Sequence, residues 1–302
     1  MRKLEKASLP NEDIWPEILE VADKYNNAAT LAAIATLLSI KSKVGKKFIK
    51  VIESNDDRVL NNFLDNVTLD GKKLKVVEKK MAKEVSELIN NKYNFGVDIK
   101  SLAIDKYVDE HVAKLVVQVG NETKLAIKEI VKSGWNNGEL PEDVYKNIKS
   151  VVPLDTRRKN SLIRYEQGLL KNKDLRNRFR DDTEFFKEVA RLKEKYHKKL
   201  LLDRGRTIGR TENINLANEG SRQMYEASAK QNKDIRNNYE LKWVVTPDDR
   251  LCNNCRQMIN ARSSFTGTFE NKANVKIVQE GGLRRPTLHP RCRCAIVCVR
   301  KN

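Results

Sequence analysis

Aromatic residues make up only 6% of this 302-residue chain, and histidine occurs three times. Few aromatics leave little material for the base-stacking platforms that hold single-stranded nucleic acid. His111, His197 and His289 leave few ways to build a Ser/Cys–His nucleophilic site, and the first two fall in charged helical stretches where a solvated imidazole is expected. Proline and glycine are sparse, at 7 and 13 residues, so the main helix breakers are scarce. The longest apolar run, Ala28 to Ile40, is interrupted by Thr30, Thr36 and Ser39; it is too short to cross a bilayer and reads as a buried helix. The opening Met1-Arg2-Lys3-Leu4-Glu5-Lys6 holds no apolar segment of the signal-peptide type, so cytosolic synthesis without membrane attachment is expected. Gly205-Arg206-Thr207-Ile208-Gly209 is not followed by Gly-Lys-Ser/Thr, which excludes a phosphate loop there.

Cysteine is absent until residue 252, and five then follow: Cys252, Cys255, Cys292, Cys294 and Cys298. A C-x-x-C pair, a long gap and the string His289-Pro290-Arg291-Cys292-Arg293-Cys294 place soft ligands on two short turns. A tetrahedral Zn²⁺ ion is commonly held this way. In a reducing compartment this spacing points to a structural zinc with ligands among Cys252, Cys255, His289, Cys292 and Cys294, and Cys298 lies further off. A disulfide or unliganded thiols fit the same residues. If Cys292 and Cys294 lie on a strand, their side chains share one face. Asp248 and Asp249 follow Pro247 and read as a turn, not as the acid or base beside an open catalytic metal.

Charge is the second positive feature. Lys and Arg outnumber Asp and Glu by 59 to 41, a formal net charge of +18, which favours a polyanionic partner. Residues 41–50 hold five lysines and no acid; residues 191–210 hold eight Lys/Arg against two acids. Arg284, Arg285, Arg291, Arg293, Arg300 and Lys301 follow with no acid between them. With few aromatics, phosphate contact without base reading is expected, centred on Lys198, Lys199, Arg204, Arg206 and Arg210, where two helices would meet.

The pattern predicts a mainly α fold with a small C-terminal α+β module stapled by zinc. Val76, Val77, Met81, Val85, Leu88 and Ile89 make one helical stripe; Leu125, Ile127, Ile130 and Val131 make another. The break Ser133-Gly134-Trp135-Asn136-Asn137-Gly138 before Pro141 divides a helical domain, 1–135, from a second domain, 140–302, with helices to about 235 and a cysteine-rich module over 240–302. A helix starting at Asp181 and a second from about Arg206 to Lys230 are expected. Strands are expected at Leu241–Thr246, Val275–Val278 and Ala295–Val299.

Three segments, in order, resemble the phage head morphogenesis family, the minor head proteins like protein F of phage Mu and the SPP1-type minor capsid protein. They are the helix Arg206-Thr207-Ile208-Gly209-Arg210-Thr211-Glu212 continuing to Gly220, the segment from Trp243 to Cys252-Asn253-Asn254-Cys255, and Arg285-Pro286-Thr287-Leu288-His289-Pro290-Arg291-Cys292-Arg293-Cys294. Gly209 stands where the family usually has alanine, a departure expected to matter little. Nothing in residues 1–135 carries the resemblance. It implies a non-enzymatic, low-copy protein of the phage head interior, made in the host cytoplasm, bound at the portal protein and meeting scaffold or major capsid protein and double-stranded DNA. Its role would lie in head assembly and in DNA packaging or ejection. The rival readings are a host-type DNA-binding regulator and a toxin-associated module with a catalytic activity not apparent in the sequence.

Overall fold

The computed structural model describes residues 10–246, 251–273 and 282–301. It is about 70% helical with one three-stranded antiparallel sheet, as the composition predicts. The helices are α1 (Trp15–Lys24), α2 (Asn26–Lys43), α3 (Lys47–Glu53), α4 (Asp57–Asp65), α5 (Lys72–Tyr93), α6 (Ile104–Asn136), α7 (Pro141–Val151), α8 (Thr156–Leu170), α9 (Lys173–Arg176), α10 (Asp182–Gln231) and α11 (Lys233–Asn238). Strand β1 (Tyr239–Val244) follows, then α12 (Asn253–Gln257), β2 (Arg262–Ser263) and β3 (Ala295–Arg300). The strand expected at 275–278 and the turn at 247–249 lie outside the described residues. No single described helix is long and apolar enough to cross a membrane.

Two compact units share the chain, and they interleave. One comprises Met1–Thr30, Leu74–His111 and Arg206–Asn302; the other comprises Leu31–Lys73 and Val112–Gly205. The expected division at 135–140 therefore needs correcting. The Gly/Asn break does end α6, and Pro141 opens α7 at its first turn, with Gly138 at φ +66° in the turn. Yet Ile127 and Val131 before the break and Val144 and Ile148 after it share one apolar cluster with Ile40, Phe48, Ile52, Leu60 and Leu64. The break is a helix hairpin inside the second unit, because the apolar faces on either side of it are buried together. Likewise, residues 240–302 do not form a separate module: the Lys242 ammonium pairs with Glu12, and β3 packs on the turn Glu12–Ile14, all within the first unit.

In place of two helices meeting near residue 205, α10 runs unbroken through 50 residues. One glycine inside a helix costs only about 1 kcal/mol, and no proline accompanies Gly205. The residue before it is anchored: Arg204 is 2% exposed, and its guanidinium donates to Thr123 Oγ1 (3.1 Å), Glu122 Oε2 (3.0 Å) and the Pro153 carbonyl. Asp181 Oδ1 accepts from the Thr183 N–H at 2.9 Å, the capping role expected of it. The helical stripes are slightly displaced from the expected ones. Val76 and Leu125 are exposed, whereas Leu74 and the acid Glu78 are buried on α5.

In the first unit, β1 pairs with β3 from Tyr239↔Arg300 to Val244↔Ala295, and with β2 at Leu241↔Ser263. Trp243 is fully buried on β1 and meets Phe269 edge-on. The segment 206–220 of α10 runs through this unit with Glu212 to Gly220 buried. Gly209 is required: a Cβ there would stand 2.8 Å from the backbone of Ala29 and Thr30. The departure from alanine, expected to matter little, reflects a backbone contact too close for a side chain.

Candidate metal centre

Cys252 caps α12, and its Sγ accepts the Cys255 N–H at 3.3 Å, so the C-x-x-C pair is presented by one helical turn. Cys292 and Cys294 precede β3; they do not lie on it. Their turn is set by Arg291, whose φ of 62° lies in the left-handed region, and by the Cys292 N–H donating to the His289 carbonyl at 3.1 Å. The expectation that strand alternation would bring them to one face is replaced by this turn.

The two segments converge. Cys252 Sγ and Cys255 Sγ each lie 3.1 Å from His289 Nε2. Cys255 Sγ and Cys292 Sγ are 3.7 Å apart. Ligand atoms of Cys252, Cys255 and His289 lie within 4.8 Å of one another, as do those of Cys255, Cys292 and Cys294. A tetrahedron with metal–sulfur bonds of ~2.3 Å sets sulfur atoms roughly 3.8 Å apart, close to the Cys255–Cys292 spacing. All five residues expected as ligands are therefore brought together, with Cys255 common to both groups, and the cluster can hold a metal ion. Cys298 is buried on β3 outside it, and burial pushes its thiol up.

The thiols of the cluster are hydrogen-bonded to one another and shift apart. A hydrogen bond with Cys255, then one with Cys294, holds Cys292 far below the usual thiol range. Cys255, bonded to Cys292, is correspondingly pushed up. A thiolate in a largely buried pocket is the donor a soft metal requires.

The motif helix supports this turn from below. Asn218 Nδ2 donates to the Cys294 carbonyl (3.0 Å), and its Oδ1 accepts from the Ile296 N–H (2.8 Å). Thr211 Oγ1 accepts the Arg291 N–H at 2.9 Å, and Thr207 Oγ1 accepts the Arg291 Nη2 at 2.7 Å. These helix residues were not singled out from the sequence; small polar side chains at positions 207, 211 and 218, four and seven apart on one helix face, were the available clue.

The expected nucleic-acid contacts separate. Lys198, Lys199 and Arg206 are exposed on α10, and Arg210 is half-buried. Arg204 is excluded as a phosphate contact, because its guanidinium is sealed among Thr123, Glu122 and Asp155. In the 284–301 run, Arg285 is buried and Arg284 pairs with Glu226. Lys41, Lys43, Lys46, Lys47 and Lys50 are all exposed. Nor are the helical histidines solvated: His197 is 4% exposed, and His111 Nε2 lies 2.5 Å from Glu212 Oε2. Periodicity put both on polar faces, and contacts distant in sequence override it.

Comparison of the chain with family models, with curated proteins and with solved structures gives no match in any of the three.

Proposed function

We propose that this chain is a minor head protein of a tailed bacteriophage, similar to the phage head morphogenesis family. It acts at the portal inside the procapsid, supports head assembly and DNA packaging or delivery, and touches DNA without reading its sequence. The carrying observation is that the three resembling segments, far apart in sequence, assemble around one cluster. The helix from Arg206 holds the His289–Cys294 turn through Thr207, Thr211 and Asn218, and that turn meets the Cys252/Cys255 pair. A shared set of motifs is best explained by such a shared structural element.

In this reading the ion is zinc and its role structural. Cys252, Cys255, Cys292 and His289 hold it, with Cys294 as a hydrogen-bonded neighbour; Zn²⁺ would supply a rigid crosslink between two loops. The basic surface fits a partner of dense phosphate, through the lysines of 41–50 and through Lys198, Lys199, Arg206 and Arg210.

Mass spectrometry of procapsids and virions purified from the encoding phage tests the reading. A few copies per particle, co-purifying with portal protein, are expected in both. Absence from both particles, or a coding position with no portal or scaffold gene nearby, would sink it and promote the DNA-binding regulator.

A further inference from the structure

Outside the cysteine cluster, a cavity of about 430 Å³ lies between the end of α7, α8 and the first turns of α10, all within the second unit. That is the size of a small-molecule site. Phe186, Val189, Ala190 and Lys193 recur along α10 at three- and four-residue spacing, so one helix face makes a wall. Leu170 of α8 lines the cavity too. Leu170 and Phe186 are both exposed, although each is large and apolar.

The polar side chains lining the cavity are satisfied by the protein itself, with one exception. Ser150 Oγ donates to the Asn147 carbonyl at 2.8 Å. Lys193 pairs with Glu166 at 2.7 Å, and Glu194 pairs with Lys198 at 3.6 Å. The exception is His197, 4% exposed, whose Nε2 is buried and meets no partner. A hydrogen bond to the Val152 backbone keeps the ring proton on the other nitrogen. Burial, and then the Lys41 charge, push the pKa of His197 down, so the ring is uncharged at neutral pH. Nε2 therefore carries a lone pair, and a buried acceptor left unsatisfied costs about 1–3 kcal/mol.

We propose that this cavity binds a small neutral aromatic alcohol, whose hydroxyl donates to His197 Nε2 while its ring covers Phe186, Leu170 and Val189. The paired charges offer an ionic ligand no free partner, whereas the unmet acceptor calls for a donor. An aromatic ring adds to area burial a favourable contact with Phe186. An apolar ligand without a hydroxyl would leave Nε2 buried and unpaired, so the hydroxyl sets the specificity. The site is independent of the phage reading: it requires neither DNA nor a portal.

The probe is 2-naphthol, added to the full-length chain near neutral pH and followed by its fluorescence. Binding below about 1 mM is expected. The ether 2-methoxynaphthalene, which keeps the rings and loses the donor, should bind at least tenfold more weakly. The nitrogen-15 resonance of His197 Nε2 should move with the alcohol and not with the ether. His197→Leu should bind the two alike. Phe186→Glu, at an exposed position, should weaken both at least tenfold while circular dichroism stays unchanged. Absence of 2-naphthol binding overturns the site. So does a folded Phe186→Glu chain that binds like the natural one, or a His197→Leu chain that keeps the preference for the alcohol. N-acetyltyrosinamide, a phenol on a peptide unit, should bind more weakly than 2-naphthol; tighter binding would overturn the free ligand in favour of a partner protein's tyrosine.

Discussion

Arg204 and Lys198 sit six residues apart on the same basic stretch, yet their surroundings assign them opposite roles. Arg204 is 2% exposed and bonded to Thr123, Glu122 and the Pro153 carbonyl. Arg204→Ala should therefore destabilise the chain by about 2–4 kcal/mol, because buried hydrogen bonds and packing are lost together while Asp155 keeps Arg158 as its partner. DNA affinity per folded molecule should not change. Replacing Lys198 and Lys199 by Gln should do the reverse, with little effect on urea unfolding and a flatter salt dependence of binding. A filter-binding assay beside an unfolding curve reads both; equal effects of the two variants on DNA would contradict the assignment. His197 gives a pH prediction. Burial first, and then the nearby Lys41 charge, push its pKa below the ordinary value. The unfolded chain therefore takes up the proton first, so stability is full at neutral pH and falls as pH drops below ~6.5. The urea midpoint should fall more between pH 7.5 and 5.5 in the natural chain than in His197→Leu; parallel losses would remove His197 as the cause. Charge, composition and cysteine spacing were legible one residue at a time. Whether a given arginine faced water or Glu122 was not, because its partners come from α6 and the α7–α8 connection, 50 to 80 residues away in sequence.

Helix α10 is the element that sequence reading divided and the fold joins. Its capping at Asp181, its apolar positions Phe185 and Val189 and the start of α7 at Pro141 were all readable, because capping and periodicity are local. The continuity through Gly205 was not, since it depends on what Arg204 grips. Nor was the buried face from Glu212 to Gly220, where polar residues outnumber apolar ones and periodicity is silent. Two glycines test how this element is held. Gly209→Ala should cost about 1–3 kcal/mol, as the new methyl would press on the Ala29–Thr30 backbone 2.8 Å away. Gly168 in α8 has nothing within 4 Å of its would-be Cβ, so Gly168→Ala should stabilise by about 0.5–1 kcal/mol. Thermal melts of both variants suffice, and a neutral Gly209→Ala would mean that α10 can move away from α2.

At the scale of the whole molecule, two outcomes follow from the proposed role. Protein purified without chelator should carry about one equivalent of zinc; less than about a tenth would remove the structural ion. Cys255→Ser, which deletes the ligand common to both groups, should loosen the segments around 251–294 while leaving most helical signal. Binding to duplex DNA should weaken by roughly 10³ or more between 50 and 200 mM salt if about six phosphates are contacted, and should differ little between sequences. A hundredfold preference for one duplex would point instead to base reading. The interleaved units reach further still, to the order of events at the ribosome. Residues 31–205 contain every segment of the second unit, so all of it is made before the last segment of the first unit. The first unit begins at the N-terminus but cannot close its sheet until β3, at residues 295–300, has left the exit tunnel. Its segment up to Thr30 must therefore wait until residue 300 has been made. A nascent chain stalled at about residue 250 should show a protease-resistant second unit beside an N-terminal segment that is still digested.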